Sequence, residues 1–145
     1  MILIDTNILL YAVNRDDPRN QLATRMLESI VNKGGSWALS WSIVYEFMRV
    51  ATHPKIFHAP LETDVAWRFA WELVTHPDCH LLTETAEHAD ATARCLQEAP
   101  RIRGNMVHDL HVAVLMREHG IIRILTEDRD YRLFPWIEVV PLPEA

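Results

Sequence analysis

The amino-acid sequence predicts an α/β fold with three layers, in which a central parallel sheet is flanked by helices. Short apolar runs, among them residues 2–4 and 121–125, alternate along the chain with longer stretches that have helical spacing. No tight turn joins two of these runs as a hairpin, which favours parallel strands linked by helical crossovers. At 145 residues the chain is long enough for a substantial core, and we expect residues 1–145 to form a single domain.

The predicted elements follow one another in order. The unbroken apolar run at residues 2–4 is typical of a strand covered on both faces, and Thr6 or Asn7 can cap the helix after it. Hydrophobic spacing, turn residues and caps predict the rest. The later helices are expected at about residues 19–32, 61–76, 86–98 and 106–119, with another that ends at about 52 and starts at 41 or 43, depending on whether Ser40 or Ser42 caps it. The later strands are expected at 37–39, 80–83, 121–125 and 138–140, with the last at a sheet edge.

The composition is that of an ordinary globular protein, with 49% hydrophobic and 23% charged residues. No stretch has the length of a membrane span, and the apolar start lacks the basic flank of a signal peptide, so we expect no membrane partner. Cys79 and Cys95 form neither a disulfide framework nor a metal-binding spacing, which predicts reduced thiols and a cytoplasmic location. Glycine-rich nucleotide-binding motifs are missing from the sequence.

The formal net charge of −6 argues against a protein that binds nucleic acid by bulk electrostatic attraction. Twelve of the fourteen basic residues are arginines, which suit forked phosphate contacts but are equally common in ion pairs. A site of clustered acids is negatively charged, but a bound divalent metal would make it attractive to a negatively charged ligand. Whether the negative net charge excludes a nucleic-acid substrate therefore depends on where the acids lie.

Four carboxylates lie just beyond a predicted strand or in the first turns of a predicted helix: Asp5, Glu46, Asp109 and Asp128. Asp5 ends the first strand, and Asp128 follows the strand at residues 121–125 in the same way. Glu46 and Asp109 fall on helix faces whose other residues are apolar, where a carboxylate loses hydration and needs a cation or a proton.

Each of these acids also has an ordinary structural explanation. Asp5 could cap a helix, and Glu46 could pair on the surface with an arginine such as Arg49. Asp109 could favour the helix dipole, and Asp128 could be a turn residue. The repetition favours function, because the carboxyl ends of parallel strands share one sheet edge where ligands bind. With Asp5 assigned to the functional site, we predict that Thr6 and Asn7 cap the first helix.

Converging carboxylates cannot all stay ionised without a compensating cation. A ligand set made only of oxygens selects hard ions such as Mg²⁺, with Mn²⁺ as a possible substitute, and these ions commonly bind substrate phosphates. A metal centre of this kind can activate water and stabilise a leaving oxygen. The constellation therefore predicts metal-dependent hydrolysis of phosphodiester bonds.

Four stretches of the sequence resemble the motifs of PIN domains, and among these the VapC-type toxins of bacterial toxin–antitoxin pairs are the most similar. The stretches are Ile4-Asp5-Thr6-Asn7, Ser42-x-x-x-Glu46, His108-Asp109-Leu110-His111-Val112-Ala113 and Leu125-Thr126-Glu127-Asp128-Arg129-Asp130-Tyr131. Their order and spacing agree with the family over nearly the whole chain. The resemblance implies a Mg²⁺-dependent endoribonuclease, usually dimeric, that is neutralised by a VapB-like antitoxin.

Residue roles follow from the resemblance by position. It implies that the metal-binding and catalytic acids are Asp5, Glu46, Asp109 and Asp128, with Asp130 as an additional or supporting metal ligand. It also implies that Thr6, Asn7 and Thr126 hold the site together by hydrogen bonds. Leu110 departs from the family, which often has alanine there, and this change should affect only local packing.

Other residues have weaker claims to a role. Of the eight histidines only His111, which with His108 flanks Asp109, is a candidate for touching substrate or a site water. Arg101 and Arg103 are candidate substrate contacts or solvated loop residues. Two tryptophans at helical spacing, Trp67 and Trp71, could stack on bases, although a core or dimer-interface role is the more ordinary explanation.

Two alternatives to a ribonuclease remain open at the level of sequence. A PIN-like module could bind RNA or a protein without cutting, but a degenerate scaffold would be expected to have lost some of its acids. A DNA-cleaving nuclease is also compatible with the motifs, because water attack at a metal centre needs no 2′-hydroxyl. The sequence does not reveal the RNA that is cut, the number of ions or the antitoxin.

Overall fold

A sheet of five parallel strands forms the centre of the computed structural model, which describes residues 1–144. The strands are β1 (Ile2–Ile4), β2 (Trp37–Ser40), β3 (Cys79–Leu82), β4 (Arg123–Leu125) and β5 (Glu138–Val140). Their order in the sheet is β3-β2-β1-β4-β5, and every neighbouring pair is parallel. The predicted α/β class is confirmed, including the edge position of the last strand.

Six α-helices flank the sheet: α1 (Thr6–Val13), α2 (Asn20–Asn32), α3 (Trp41–Ala51), α4 (Thr63–Val74), α5 (His88–Glu98) and α6 (Met106–Glu118). A short 3₁₀ helix, η1, spans Arg129–Leu133. Helix α1 packs on both α2 and α3, α4 packs on α3, and α5 packs on α6. Over the described residues, none of the helices combines the length and apolarity needed to cross a membrane.

The core is densest around the central strands. Leu3 and Ile4 of β1 are completely buried, as are Ile124 and Leu125 of β4. All four residues of β2 are buried too, which explains why these strands appear in the sequence as unbroken apolar runs rather than alternating ones. Burial of such side chains supplies roughly 25 cal/mol for each Å² removed from water.

The connection order opens a crevice between the ends of β1 and β4. From β1 the chain moves outward to β2 and β3, and it then returns to β4 on the other side of β1. The two central strands pair through Ile4 and Leu125, and the N–H of Asp5 donates to the carbonyl of Leu125 at 3.1 Å. Connections that leave neighbouring strands in opposite directions create the crevice where open α/β sheets bind ligands.

Several element boundaries differ from the predicted ones. Helix α4 is shorter than predicted at both ends, and η1 was not predicted. Helix α5 begins only at His88, because Thr85 first forms a turn: its hydroxyl accepts from the N–H of Glu87 at 3.2 Å, and its carbonyl accepts from the N–H of His88. β4 contains three of the five predicted residues.

Gly120 terminates α6 in a Schellman motif. Its φ is +68°, its N–H donates to the carbonyl of Arg117, and the N–H of Ile121 donates to the carbonyl of Met116 at 2.9 Å. Ile121 is 4% exposed, so the motif also brings an apolar side chain into the core at the start of the chain's approach to β4.

We expect Gly120→Ala to lower the free energy of unfolding by about 1 kcal/mol, because an L side chain is strained at this positive φ. Gly35→Ala is the matched control, since Gly35 has no positive φ and open space around its Cα. Urea unfolding of both variants measures the difference. Equal stability of the two variants would contradict the assignment of backbone strain to Gly120.

Candidate active site

A cleft of about 750 Å³ opens at the carboxyl ends of β1 and β4. All five acids singled out in the sequence line it: Asp5, Glu46, Asp109, Asp128 and Asp130. Asp5 follows β1, Asp128 and Asp130 follow β4, and the other two are carried by α3 and α6. Residues that are far apart in sequence are thus brought to one edge of the sheet by the parallel topology.

Asp5 is fixed in place by three groups and is only 7% exposed. Its Oδ1 accepts from the N–H of Thr6 at 2.8 Å, and its Oδ2 accepts from the hydroxyl of Thr126 at 2.7 Å and from the amide of Asn7 at 3.4 Å. The assignment of capping to Thr6 and Asn7 is wrong, because Asp5 is itself the N-cap of α1. One carboxylate therefore starts the helix and faces the cleft.

Thr126 connects the polar groups at the ends of the two strands. Its hydroxyl, which is fully buried, donates to Asp5 and accepts from the side-chain amide of Asn7 and from the N–H of Asp128, both at 3.0 Å. The side-chain Oδ1 of Asn7 in turn accepts from the N–H of Glu127 at 3.3 Å. Asn7 and Thr126 thus make the hydrogen bonds that the motif resemblance implies, whereas Thr6 contributes its main-chain N–H.

Three of the acids lie close enough to share a cation. Oxygen atoms from Asp109, Asp128 and Asp130 all lie within 4.8 Å of one another. Asp128 caps η1, with its Oδ1 accepting from the N–H of Asp130 at 2.9 Å, so this turn holds both aspartates in position. Asp5 borders the group from the end of β1 and acts on Asp109 electrostatically.

The crowding of acids raises two carboxyl pKa values. Burial raises the pKa of Asp5 to about 6, against the hydrogen bonds from Thr126 and Thr6, and the charge of Asp128 adds to the rise. Burial also raises the pKa of Asp109 to about 7, reinforced by the charges of Asp128, Asp5 and Asp130. Without a compensating cation, the folded protein therefore resists full ionisation of its cleft.

Tyr131 lies beneath the cleft and is almost completely buried. Its phenol favours the ionised form of Asp109 and opposes the rise in the pKa of that carboxyl. Burial raises the pKa of Tyr131 well above its usual value, and the nearby aspartates add to this effect, so the phenol stays protonated. The sequence analysis did not single out Tyr131, although this residue ends the quoted acidic motif.

Glu46 differs from the other four acids: the predicted placement on an apolar helix face is wrong, and the alternative of a surface pair with Arg49 is confirmed. It is exposed on the rim of the cleft rather than on the core face of α3, and Arg49 contacts it with two nitrogens at 2.7 and 3.1 Å. This ion pair lowers the pKa of Glu46. The buried face of α3 also includes Val44 and Ala51, so Glu46 lies outside this face.

The other candidates are divided between the cleft and the rest of the surface. His108 lines the cleft, although a surface or core role was favoured for it, and Arg49 and Asn105 line the cleft too. His111 is not at the cleft, because its ring contacts Glu84 on the other side of α6. Arg101 and Arg103, also described by the structure, do not belong to the lining. Trp67 and Trp71 are 40% and 51% exposed, which excludes the core explanation for both.

The donor set of the cleft fits a hard divalent cation. Its ligand candidates are all carboxylate oxygens, and the basic side chains among its described lining residues are Arg49, already paired, and His108. A divalent ion would favour the ionised forms of Asp5 and Asp109 and lower their raised pKa values. The chemistry of the residues therefore matches Mg²⁺ or Mn²⁺ better than a softer metal.

The chain is similar in sequence to known proteins over most of its length. The family model described as PIN domain matches residues 2–136. Ribonuclease VapC48 of Mycobacterium tuberculosis is 32% identical over 135 residues, which cover 93% of this chain and 92% of the relative. Ribonuclease VapC37 of the same organism is 31% identical over 134 residues, with 92% of both chains covered.

Solved structures share the fold at lower sequence identity. A crystal structure of VapBC2 from Rickettsia felis, bound to a DNA fragment from their promoter, matches with a TM-score of 0.70 and 18% identity, covering 99% of this chain and all of the other. VapC20 of Mycobacterium tuberculosis, described as a toxin that cleaves the sarcin–ricin loop, matches with a TM-score of 0.66, 19% identity and coverage of 91% and 93%. These likenesses establish the architecture.

We expect the raised pKa values of Asp5 and Asp109 to remove stability from the metal-free protein as the pH rises from about 4 to about 7. The folded state keeps protons on Asp5 and Asp109 that the unfolded chain releases near its ordinary value of 3.8, so ionisation favours the unfolded state. Asp109→Asn should therefore stabilise the protein by about 1 kcal/mol at pH 8, the gain being limited by partial exposure, and by little at pH 4. Urea unfolding in the presence of chelator measures the free energy of unfolding at both pH values.

Asp64→Asn, on the exposed first turn of α4, is the control for the general effect of removing one negative charge. A pH profile of Asp109→Asn that is identical to that of the wild type would show that the charge of Asp109 does not oppose folding.

We expect Thr126→Val to cost about 1–3 kcal/mol of stability at pH 8 and less at pH 5, because ionised Asp5 depends most on the lost hydroxyl. Thr126→Ser keeps the hydroxyl and loses a buried methyl, so its cost of about 1 kcal/mol should be the same at both pH values. Urea unfolding at the two pH values compares them. The same pH dependence for both variants would contradict a hydrogen bond to the Asp5 carboxylate.

Proposed function

The chain belongs to the PIN domain family, and from this premise we propose that it is a metal-dependent endoribonuclease, the toxin of a type II toxin–antitoxin pair. The observation that carries the proposal is the convergence of Asp5, Asp109, Asp128 and Asp130 in one cleft at the ends of two central strands. Relatives above 30% identity over nine-tenths of the chain are named ribonucleases, which supports RNA as the substrate.

We propose as its partners an RNA substrate, a VapB-like antitoxin and a second copy of the chain, with residues 1–145 acting as one domain. The antitoxin is supported by the structural neighbours, several of which are complexes of VapC-like proteins with VapB. The exposed indoles of Trp67 and Trp71 on α4 provide an apolar surface suited to a homodimer contact.

The metal proposed for the cleft is Mg²⁺, with Mn²⁺ as a substitute. Asp109, Asp128 and Asp130 would hold it with Asp5, while Glu46 would join from the rim if its pair with Arg49 opened. When bound, the ion would supply positive charge that polarises a water and stabilises the phosphate's leaving oxygen. The location of the acids on rigid strand ends and helix starts favours a fixed geometry for this charge.

The chain's own residues would perform the remaining tasks. The hydrogen bonds to Asp5 from Thr126 and Thr6 fix the direction of its carboxylate, so little reorganisation would accompany substrate binding. Arg49 lies on the cleft wall with an exposed guanidinium and could bind the phosphodiester of an RNA strand. His108 provides a second contact on the same wall.

We expect Asp109→Asn to reduce cleavage of RNA by at least about 100-fold, because it removes one charge from the group that would bind the ion. Cleavage of end-labelled RNA is followed during titration with Mg²⁺ and after addition of chelator, and Asp5→Asn and Asp128→Asn should behave alike. Asp64→Asn, an exposed acid on α4, is the matched control and should retain full activity.

Two outcomes would contradict this proposal. RNA that is bound but never cut, with Mg²⁺ or Mn²⁺ present, would identify a non-catalytic binding module. Single-stranded DNA of the same sequence, cut as fast as the RNA, would identify a general or DNA-directed nuclease. Circular dichroism of each variant separates loss of chemistry from loss of folding.

A further inference from the structure

A second cluster of metal-binding side chains lies on the side of α6 that faces α5. Glu84 follows β3, His88 is the first residue of α5, and His111 belongs to α6. One ligand atom from each of the three lies within 4.8 Å of the others. His111 follows Asp109 by two positions, which places it about 200° around the helix from the acidic cleft.

The contacts within this cluster hold both imidazoles in defined orientations. The Nε2 of His111 lies 2.7 Å from Oε1 of Glu84, and the Nδ1 of His88 lies 2.6 Å from Oε2 of Glu118. The two rings meet edge to face, with centroids 5.7 Å apart. The rings are therefore already brought together by the packing of α5 on α6.

Glu118 contacts the imidazole of His88 through the Nδ1 atom of that ring. Its side chain is 1% exposed, and its Oε1 accepts from the N–H and the hydroxyl of Thr85 at 3.0 and 2.7 Å. Its other oxygen contacts the Nδ1 of His88, which leaves the Nε2 of that ring for a ligand. A carboxylate bound to the far nitrogen of a histidine is the usual support of a metal-binding imidazole, because it fixes the tautomer and raises ligand basicity.

We propose that Glu84, His88 and His111 form a binding site for a borderline divalent cation of the Zn²⁺ class. Two imidazoles and one carboxylate are a donor set of zinc sites that keep an open position, whereas the group of Asp109, Asp128 and Asp130 in the acidic cleft offers only oxygen. The side chains of His88, His111 and Glu84 are 29%, 35% and 51% exposed, so an ion can reach them and water can complete its coordination.

A cation at this site would join three separate segments of the fold. It would tie the β3–α5 connection and the first turn of α5 to α6, which also carries Asp109. Because it binds the folded arrangement only, Zn²⁺ would stabilise the protein by mass action. This inference stands on its own contacts and does not depend on the proposed ribonuclease activity.

The test uses the full chain after treatment with chelator. Zn²⁺ binding is measured by calorimetry, and Co²⁺ is the spectroscopic probe, because its visible bands report nitrogen-containing, low-coordinate sites. We expect one Zn²⁺ per chain in the wild type and in Asp109→Asn, which weakens the acidic cleft and leaves this cluster intact. Glu118→Gln should weaken binding about 10- to 100-fold.

His111→Gln and His88→Gln should each weaken Zn²⁺ binding by at least about 10-fold. Gln at position 111 retains a hydrogen-bond donor for Glu84, so the packing of the helices is preserved, and circular dichroism verifies the fold. His58→Ala is the matched control, since His58 is an exposed histidine of a distant loop. It should bind Zn²⁺ like the wild type.

The proposal is overturned if the two glutamine variants bind Zn²⁺ as tightly as the wild type, or if the wild type binds none. It is also overturned if binding disappears in Asp109→Asn, because the ion would then belong to the acidic cleft. In each of these three cases the cluster consists of hydrogen-bonded pairs that hold α5 on α6. RNA cleavage is measured separately, so the two proposals fail independently.

Discussion

The hydrogen bond from the hydroxyl of Thr126 to Asp5 is the contact on which the cleft depends. It joins the ends of the two central strands through residues that are 121 positions apart. The same hydroxyl accepts from Asn7 and from the N–H of Asp128, so one buried atom fixes the start of α1 and the acidic turn after β4. The position of the acids is thus a property of the sheet, because the pairing of β1 with β4 brings this hydroxyl to Asp5.

The same arrangement opposes folding when no cation is present. A pKa of about 6 for Asp5, against 3.8 for an ordinary aspartate, corresponds to an ionisation penalty on the order of 2–3 kcal/mol. The hydrogen bonds from Thr126 and Thr6 already reduce that penalty. The apolar strands on which the acids are mounted, with Leu3, Ile4 and Leu125 completely buried, must supply the compensating stability. The acidic group is therefore retained at the expense of stability, as is common at functional sites.

Much of this architecture could be predicted from the sequence because it depends on local patterns. Unbroken apolar runs identify β1 and β4, and an acid at a strand end needs only parallel topology to reach the sheet edge. Besides helix caps and boundaries, the errors concern the rotation of helices. Glu46 lies on the rim and His111 faces α5, because the angle at which a helix packs is set by its partners in the folded chain. Helical spacing alone shows which residues share a helix face, but it does not show whether a residue at the margin of an apolar stripe is buried.

Helix α6 presents different chemistry on its two sides, and this difference decides which ions each side can hold. Asp109 faces a group made only of oxygen donors, where a hard ion that keeps its waters has the advantage. His111 faces a carboxylate and a second imidazole, a set that a borderline metal binds more strongly than Mg²⁺ does. Because the group around His111 contains two imidazoles and the group of Asp109, Asp128 and Asp130 contains none, Zn²⁺ and Mg²⁺ need not compete for one site. With a hard ion in the cleft and a borderline ion beside His111, as proposed, the fold would separate metal-assisted chemistry from metal-assisted stability across the width of a single helix.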